Sequence, residues 1–250
     1  MEHKNSAGQL PAEKVPFLIF ALVWIAFSYL IVFVLSPDTV GWVAKEDGII
    51  EYIGAACFLA ASVLFFVLYK QSRASGSIPF IPMSGNVFYL LLGLAFLFVC
   101  MEEISWGQRI FGFETPESIR GANSQSEFNI HNLQVFHGET ESGERKSFFA
   151  LLLNMDRMFS MFWFSYCFLL PIIYKVSSPA RKLLDTMLMP IVPLFLGSIF
   201  VLNYALTKGL EAIVDAQLHH SIVEIKESII AMLFLLLAIW FLRNGRTTSA

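Results

Sequence analysis

The chain has 250 residues, 56% of them hydrophobic and 15% charged, with a mean hydropathy of +0.63. That is too apolar for a water-soluble globular domain and places the chain in the membrane class. A formal net charge of −3 offers no basic field to nucleic acid, and Cys57, Cys100 and Cys167 sit in apolar runs without zinc-type spacing.

Crossing ~30 Å of hydrocarbon takes ~20 apolar residues. Runs of that length are expected at Pro16 to Ser36, Ile49 to Tyr69, Val87 to about Arg109, about Asn154 to Val176, Thr186 to Thr207, and about Ile222 to Leu242. The first is too long for a signal peptide and lacks a small-x-small site before "SPDTVGW". The expected fold is all-α: a polytopic membrane bundle of about six transmembrane helices forming one domain over 1–250. Residues 1–15 and 243–250 form tails, and 112–147 form a long loop with short interfacial helices.

Lys and Arg placement orients the bundle. With the N-terminus cytoplasmic, the inner side holds Lys4, Lys14, Lys70, Arg73, Lys175, Arg181, Lys182, Arg243 and Arg246; the outer side holds Lys45, Arg120, Arg145, Lys146 and Lys208. Nine against five puts both termini in the cytoplasm of a bacterial inner membrane and the loop in the periplasm.

Polar residues then collect at the outer ends of the spans. Glu51 opens the second; Glu102, Glu103, Trp106, Gln108 and Arg109 close the third. Asn154, Asp156 and Arg157 open the fourth, Lys208, Glu211 and Asp215 follow the fifth, and His219, His220, Glu224, Lys226 and Glu227 open the sixth. Counting ~20 residues back from Arg243 places the outer boundary near Val223, and at ~1.5 Å per residue Glu227 lies about 6 Å inside it. A charge near the membrane centre costs at least ~2.5–3.5 kcal/mol, so several together imply a shared pocket with partners or water. Interfacial charges also anchor helix ends, but anchoring predicts them at both ends of the spans. On a continuous helix Glu102, Ser105 and Arg109 share one face, as do His220, Glu224 and Glu227. Glu102 is therefore expected to pair with Arg109, and Glu103, about 100° away, to face the functional centre.

In the long loop, Thr115-Pro116-Glu117 is a helix start. Asn123 is expected to cap a second short helix running to about Phe136 and stopped by Gly138, with Phe128, Leu133, Val135 and Phe136 at the membrane surface or plugging the bundle. On that helix Glu127 and His131, four apart, would share a face and can bind one metal. Apart from His3, all the histidines (His131, His137, His219 and His220) fall on the outer side. A divalent ion such as Zn, Fe or Mn held by His131, Glu127, His220 and Glu224 is one expectation, although no H-E-x-x-H or paired E-x-x-H signature is present.

The strings "EDGIIEY", "EEISWGQRIFG", "ETP" and "NSQSEFNIHNL" resemble, in this order, a family of bacterial multi-pass membrane proteins of uncharacterised activity. The resemblance covers Glu46 to Leu133. It implies an inner-membrane protein and no particular reaction. It marks Glu51, Glu102, Glu103, Trp106, Gln108, Arg109, Asn123, Gln125, Glu127, His131 and Asn132 as motif positions.

The leading functional expectation is a membrane-embedded enzyme acting on a lipid or lipid-linked head group. Glu103 or Glu102 would serve as general base, Arg109 or Arg157 would grip a phosphate or carboxylate, and Trp106, Gln108, Glu51, Asn123 and Asp156 would contact substrate. The alternatives are a small ion-coupled transporter and a non-catalytic sensor or assembly factor that binds a periplasmic partner through the loop.

Overall fold

A computed structural model describes residues 11–45, 48–73, 84–136 and 154–245. Among these the chain is helical, with an antiparallel bridge between Asn123 and Leu133. The helices are α1 (Val15–Val34), α2 (Pro37–Val43), α3 (Ile49–Ser72), α4 (Val87–Glu103), α5 (Gln108–Phe111), α6 (Glu117–Arg120), α7 (Met155–Val176), α8 (Ser178–Thr186), α9 (Leu194–Glu211) and α10 (His219–Asn244). The tails 1–10 and 246–250, His137 and the remainder of the loop to Leu153 lie outside the described residues.

Helix starts follow local chemistry. Ser36 accepts a bond from the Thr39 amide and Asn86 from that of Phe88, each meeting a donor that a helix start would otherwise strand. Pro sits in the first turn of α1, α2 and α8, where its missing N–H costs nothing.

α10 is the central helix. Ile222, Ile225, Ile229, Phe234, Leu237, Trp240 and Phe241 are all fully buried, as expected for a helix apolar all round. Phe234 is the hub of an aromatic core, with ring centroids 4.5 Å from Phe96 of α4 and 4.9 Å from Phe200 of α9. At one end of the bundle Trp240 meets both Phe17 of α1 and Phe195 of α9, at 5.1 and 5.2 Å. Toward the other end the Tyr29 hydroxyl donates to Asn203 and bonds Thr207, while Asn203 donates to the Lys226 carbonyl. α1 and α9 thus run parallel to each other and antiparallel to α10.

One expectation is met in part and two need correction. Among the described residues four helices (α1, α3, α7, α10) are long and apolar enough to cross a membrane, five if the bent α4–α5 pair counts as one span, against the six expected. The run Thr186 to Thr207 is not one helix. α8 ends at Thr186, Leu188 has a positive φ of 58°, and Pro190 and Pro193 precede α9 at Leu194; two prolines so close cannot sit inside a helix. α9 then has 18 residues, diluted by Asn203, Thr207, Lys208 and Glu211. The third run stops at Glu103 instead of Arg109, with a 67° bend.

α7 widens to a π-helix over Phe164–Leu169. Pro171 has no N–H to give the Cys167 carbonyl, so the ladder shifts there. Gly197 of α9 lies against that carbonyl so closely that a Cβ would overlap its oxygen.

Candidate functional site

The site begins where α4 breaks. Ser105, Trp106 and Gly107 adopt consecutive left-handed conformations (φ 46°, 54° and 78°), disfavoured for the first two residues. Hydrogen bonds hold them there. The Trp106 indole N–H donates to Glu102 Oε1 at 2.5 Å, and the Ser105 hydroxyl donates to Glu127 Oε2 at 2.9 Å. The expected helical face through Glu102, Ser105 and Arg109 therefore does not form.

Glu102 is buried at 4% exposure. Its Oε2 accepts from the backbone amides of Ile130 (2.7 Å) and His131 (2.9 Å) and lies 3.4 Å from His131 Nδ1. Its partners are loop and indole, not the expected Arg109. Arg109 instead pairs with Glu127, whose other oxygen also receives Asn129 Nδ2 at 2.9 Å.

Residues 113–136 are correspondingly not a helix–loop–helix. The expected second helix, Asn123 to Phe136, is replaced by a knot of turns ending in one 3₁₀ turn, Gln134–Phe136. Asn123 still caps, but locally: its Oδ1 accepts from the amides of Gln125 and Glu127, and its Nδ2 reaches Asn129. Asn and Ser side chains here offer the backbone alternatives to helical bonds, and the Asn132–Gln125 bond at 2.6 Å closes the knot. Gln108 bridges bend and knot, donating to Thr115 Oγ1 and accepting from the Phe128 amide, both at 2.8 Å. Asn154, at the start of α7, donates to the Phe136 carbonyl at 3.1 Å and caps its own helix by accepting from the Arg157 amide.

Below the knot lies the carboxylate cluster. Glu103, half-buried, sits in the field of Glu227, Glu51, Glu224 and Glu102. Lys226 pairs with Glu227 at 2.9 Å and also senses Asp156 and Glu224; His220 Nδ1 lies 3.8 Å from Glu224. Asp156 and Arg157, in the first turn of α7, are exposed. The His131 ring lies between knot and cluster. Burial pulls its pKa down, but the Glu102 carboxylate, aided by Glu227 and Asp156, outweighs burial and raises it above the usual imidazole value.

The bundle thus brings together Glu51, Glu102, Glu103, His131, Asp156, Glu224, Lys226 and Glu227. Trp106, Gln108, Arg109, Asn123 and Glu127 are occupied in building the knot. His131 and Glu127 do not share a helical face, and among the described residues no three His, Cys, Asp or Glu side chains converge as a metal would require. Sequence reasoning missed Ser105, Thr115 and Asn129 as tethers, and the buried Tyr29–Asn203–Thr207 network. The available signal for that network was a lone Asn in an apolar run, since an unpaired amide there is costly.

Comparison of the chain with protein-family models, with curated proteins and with solved structures finds no match, so the functional reading rests on this geometry alone.

Proposed function

We propose that the chain is a bacterial inner-membrane protein with both termini cytoplasmic, whose carboxylate cluster, capped by the knot, receives the head group of a lipid or lipid-linked substrate at the outer leaflet, with Glu103 as acid–base group. One observation carries the assignment to Glu103. Among the described residues no hydrogen bond or ion pair is made to it, whereas its neighbour Glu102 accepts from three separate donors. A half-buried carboxylate held among other carboxylates is the kind of group that can exchange a proton with a bound substrate.

In this reading α9 makes a sixth crossing alongside the bent α4–α5 span. With it, chain direction alternates and the polar ends of α3, α4, α7 and α10 fall on one face. Arg109 is committed to Glu127; Arg157, exposed in the first turn of α7, is the cation assigned to an anionic group of the substrate.

The test is the lipid that co-purifies. Native mass spectrometry of the unsubstituted chain should show one head-group class enriched over the surrounding membrane, and Glu103→Gln, which keeps the shape, should lose that enrichment with a near-normal folded yield. The same bulk lipid mixture on both chains refutes the assignment. A second reading follows from the excess of carboxylates over cations around Glu103: the ligand is a proton or inorganic cation in an ion-coupled carrier. It requires a polar path to the opposite end, where Trp240, Phe17 and Phe195 form an aromatic seal.

A further inference from the structure

α5 divides its four residues in a telling way. Its polar pair is engaged by the knot: Gln108 bonds Thr115 and the Phe128 amide, and Arg109 holds Glu127. Its apolar pair is turned out, Ile110 at 67% and Phe111 at 78% exposure, and Val135 of the knot is 58% exposed. Two large adjacent apolar side chains left this open beside an exposed span face mark a contact surface.

The exposed face of α4, which carries Leu91, Leu94 and Phe98, leads to the bend. The Phe98 ring lies against Trp106, centroids 5.9 Å apart, so the apolar surface passes from the span to the elbow. The 67° turn directs α5 across the span's axis instead of along it. Gly107 permits the turn: its φ is +78°, and a Cβ there would stand 2.8 Å from the Phe111 ring.

The geometry points to lipid of the outer leaflet as the partner of this elbow: Ile110 and Phe111 insert at the head-group boundary and hold the knot half-sunk at the membrane surface. The exposed face of α4 meets Trp106 through Phe98, and the Phe111 ring lies over Gly107 directly after it, so one apolar solvent can cover both. The inference rests on the membrane reading under Proposed function. It adds that the mouth of the carboxylate cluster opens at head-group depth, so that a lipid reaches it sideways.

The test uses the full chain in vesicles of phosphatidylethanolamine and phosphatidylglycerol, with a nitroxide on Phe111→Cys. Cys57, Cys100 and Cys167 are buried, and labelling of the unsubstituted chain measures their background. Phe27→Cys on α1, where the native side chain is 65% exposed, reports lipid; Glu114→Cys, on an exposed loop carboxylate, reports water. The expected result is oxygen collisions exceeding those of a water-soluble nickel chelate at positions 111 and 27, with the reverse at 114. Position 111 behaving like 114, while 27 reads lipid, overturns the inference and leaves the membrane reading standing. Shielding of position 111 from both reagents means a protein partner and also overturns it. A water-like signal at position 27 overturns both readings together. If Phe111→Cys folds poorly, Ile110→Cys carries the same label with the same outcomes.

Discussion

Replacing Glu102 with Gln tests whether this carboxylate, and not an Arg pair, fastens the knot to the bundle. The amide can still accept from the Ile130 and His131 amides, now at 2.7 and 2.9 Å from Oε2, but without charge assistance. Its NH₂ group must then face the Trp106 indole N–H, which at present donates to Oε1 at 2.5 Å, so two donors oppose each other. A hydrogen bond to a charged group contributes about 1.5–3 kcal/mol, and a stranded buried donor costs about 1–3 kcal/mol. Losing the indole bond and weakening the other two therefore costs about 3 kcal/mol. At about 2–4 °C per kcal/mol for a chain of this size, Tm should fall by about 6–12 °C. Thermal unfolding in detergent measures the total, and amide hydrogen exchange locates it: the Ile130 and His131 amides should lose protection before the core amides of α10 do. An unchanged Tm with both amides still protected would show that Glu102 does not hold the knot. If Glu102→Gln folds normally but loses lipid enrichment, while Glu103→Gln unfolds, the roles assigned to the two carboxylates are reversed.

Three further outcomes follow from the same geometry. The pKa of His131 is raised in the folded chain, so its pairing with Glu102 contributes fully below the unfolded imidazole value of about 6.5 and is lost as pH rises through the higher folded value. The Tm gap between the unsubstituted chain and His131→Gln should accordingly narrow as the pH is raised from mildly acidic to alkaline; a gap that is constant or widens contradicts the pairing. Gly197→Ala forces a methyl onto the Cys167 carbonyl oxygen and should separate α9 from α7 at a cost of about 1–3 kcal/mol, read as a lower Tm; full wild-type stability would mean the two helices are not in that contact. Reporter fusions after Arg73 and after Glu141 should report opposite compartments, because α4 lies between them; the same compartment for both removes the one-sided pocket.

Sequence alone determined that the chain is helical, with several apolar runs long enough to cross a membrane, and that its polar residues gather toward one end of them. Hydrophobic runs near 20 residues are set by the thickness of the bilayer, and charged residues are excluded from lipid one at a time, so both can be read without knowing any contact. The prominence of the "EEISWGQR" string was equally legible. What its residues do was not. Periodicity assumes that a helix continues, and on that assumption Glu102 faced Arg109 and Glu127 shared a face with His131. Two non-glycine residues with positive φ, Ser105 and Trp106, end that assumption: Ser105 is held by Glu127, far along the chain, and Trp106 by Glu102, whose other oxygen is fixed by the distant amides of Ile130 and His131. The break at Pro190 and Pro193 could have been foreseen from the prolines themselves. The knot could not. Its order comes from Asn, Gln, Ser and Thr side chains bonding backbone groups of one another's turns, and such bonds carry no period along the chain. Tertiary structure therefore decided which carboxylate is consumed in building the cap and which, Glu103, is left facing the cluster.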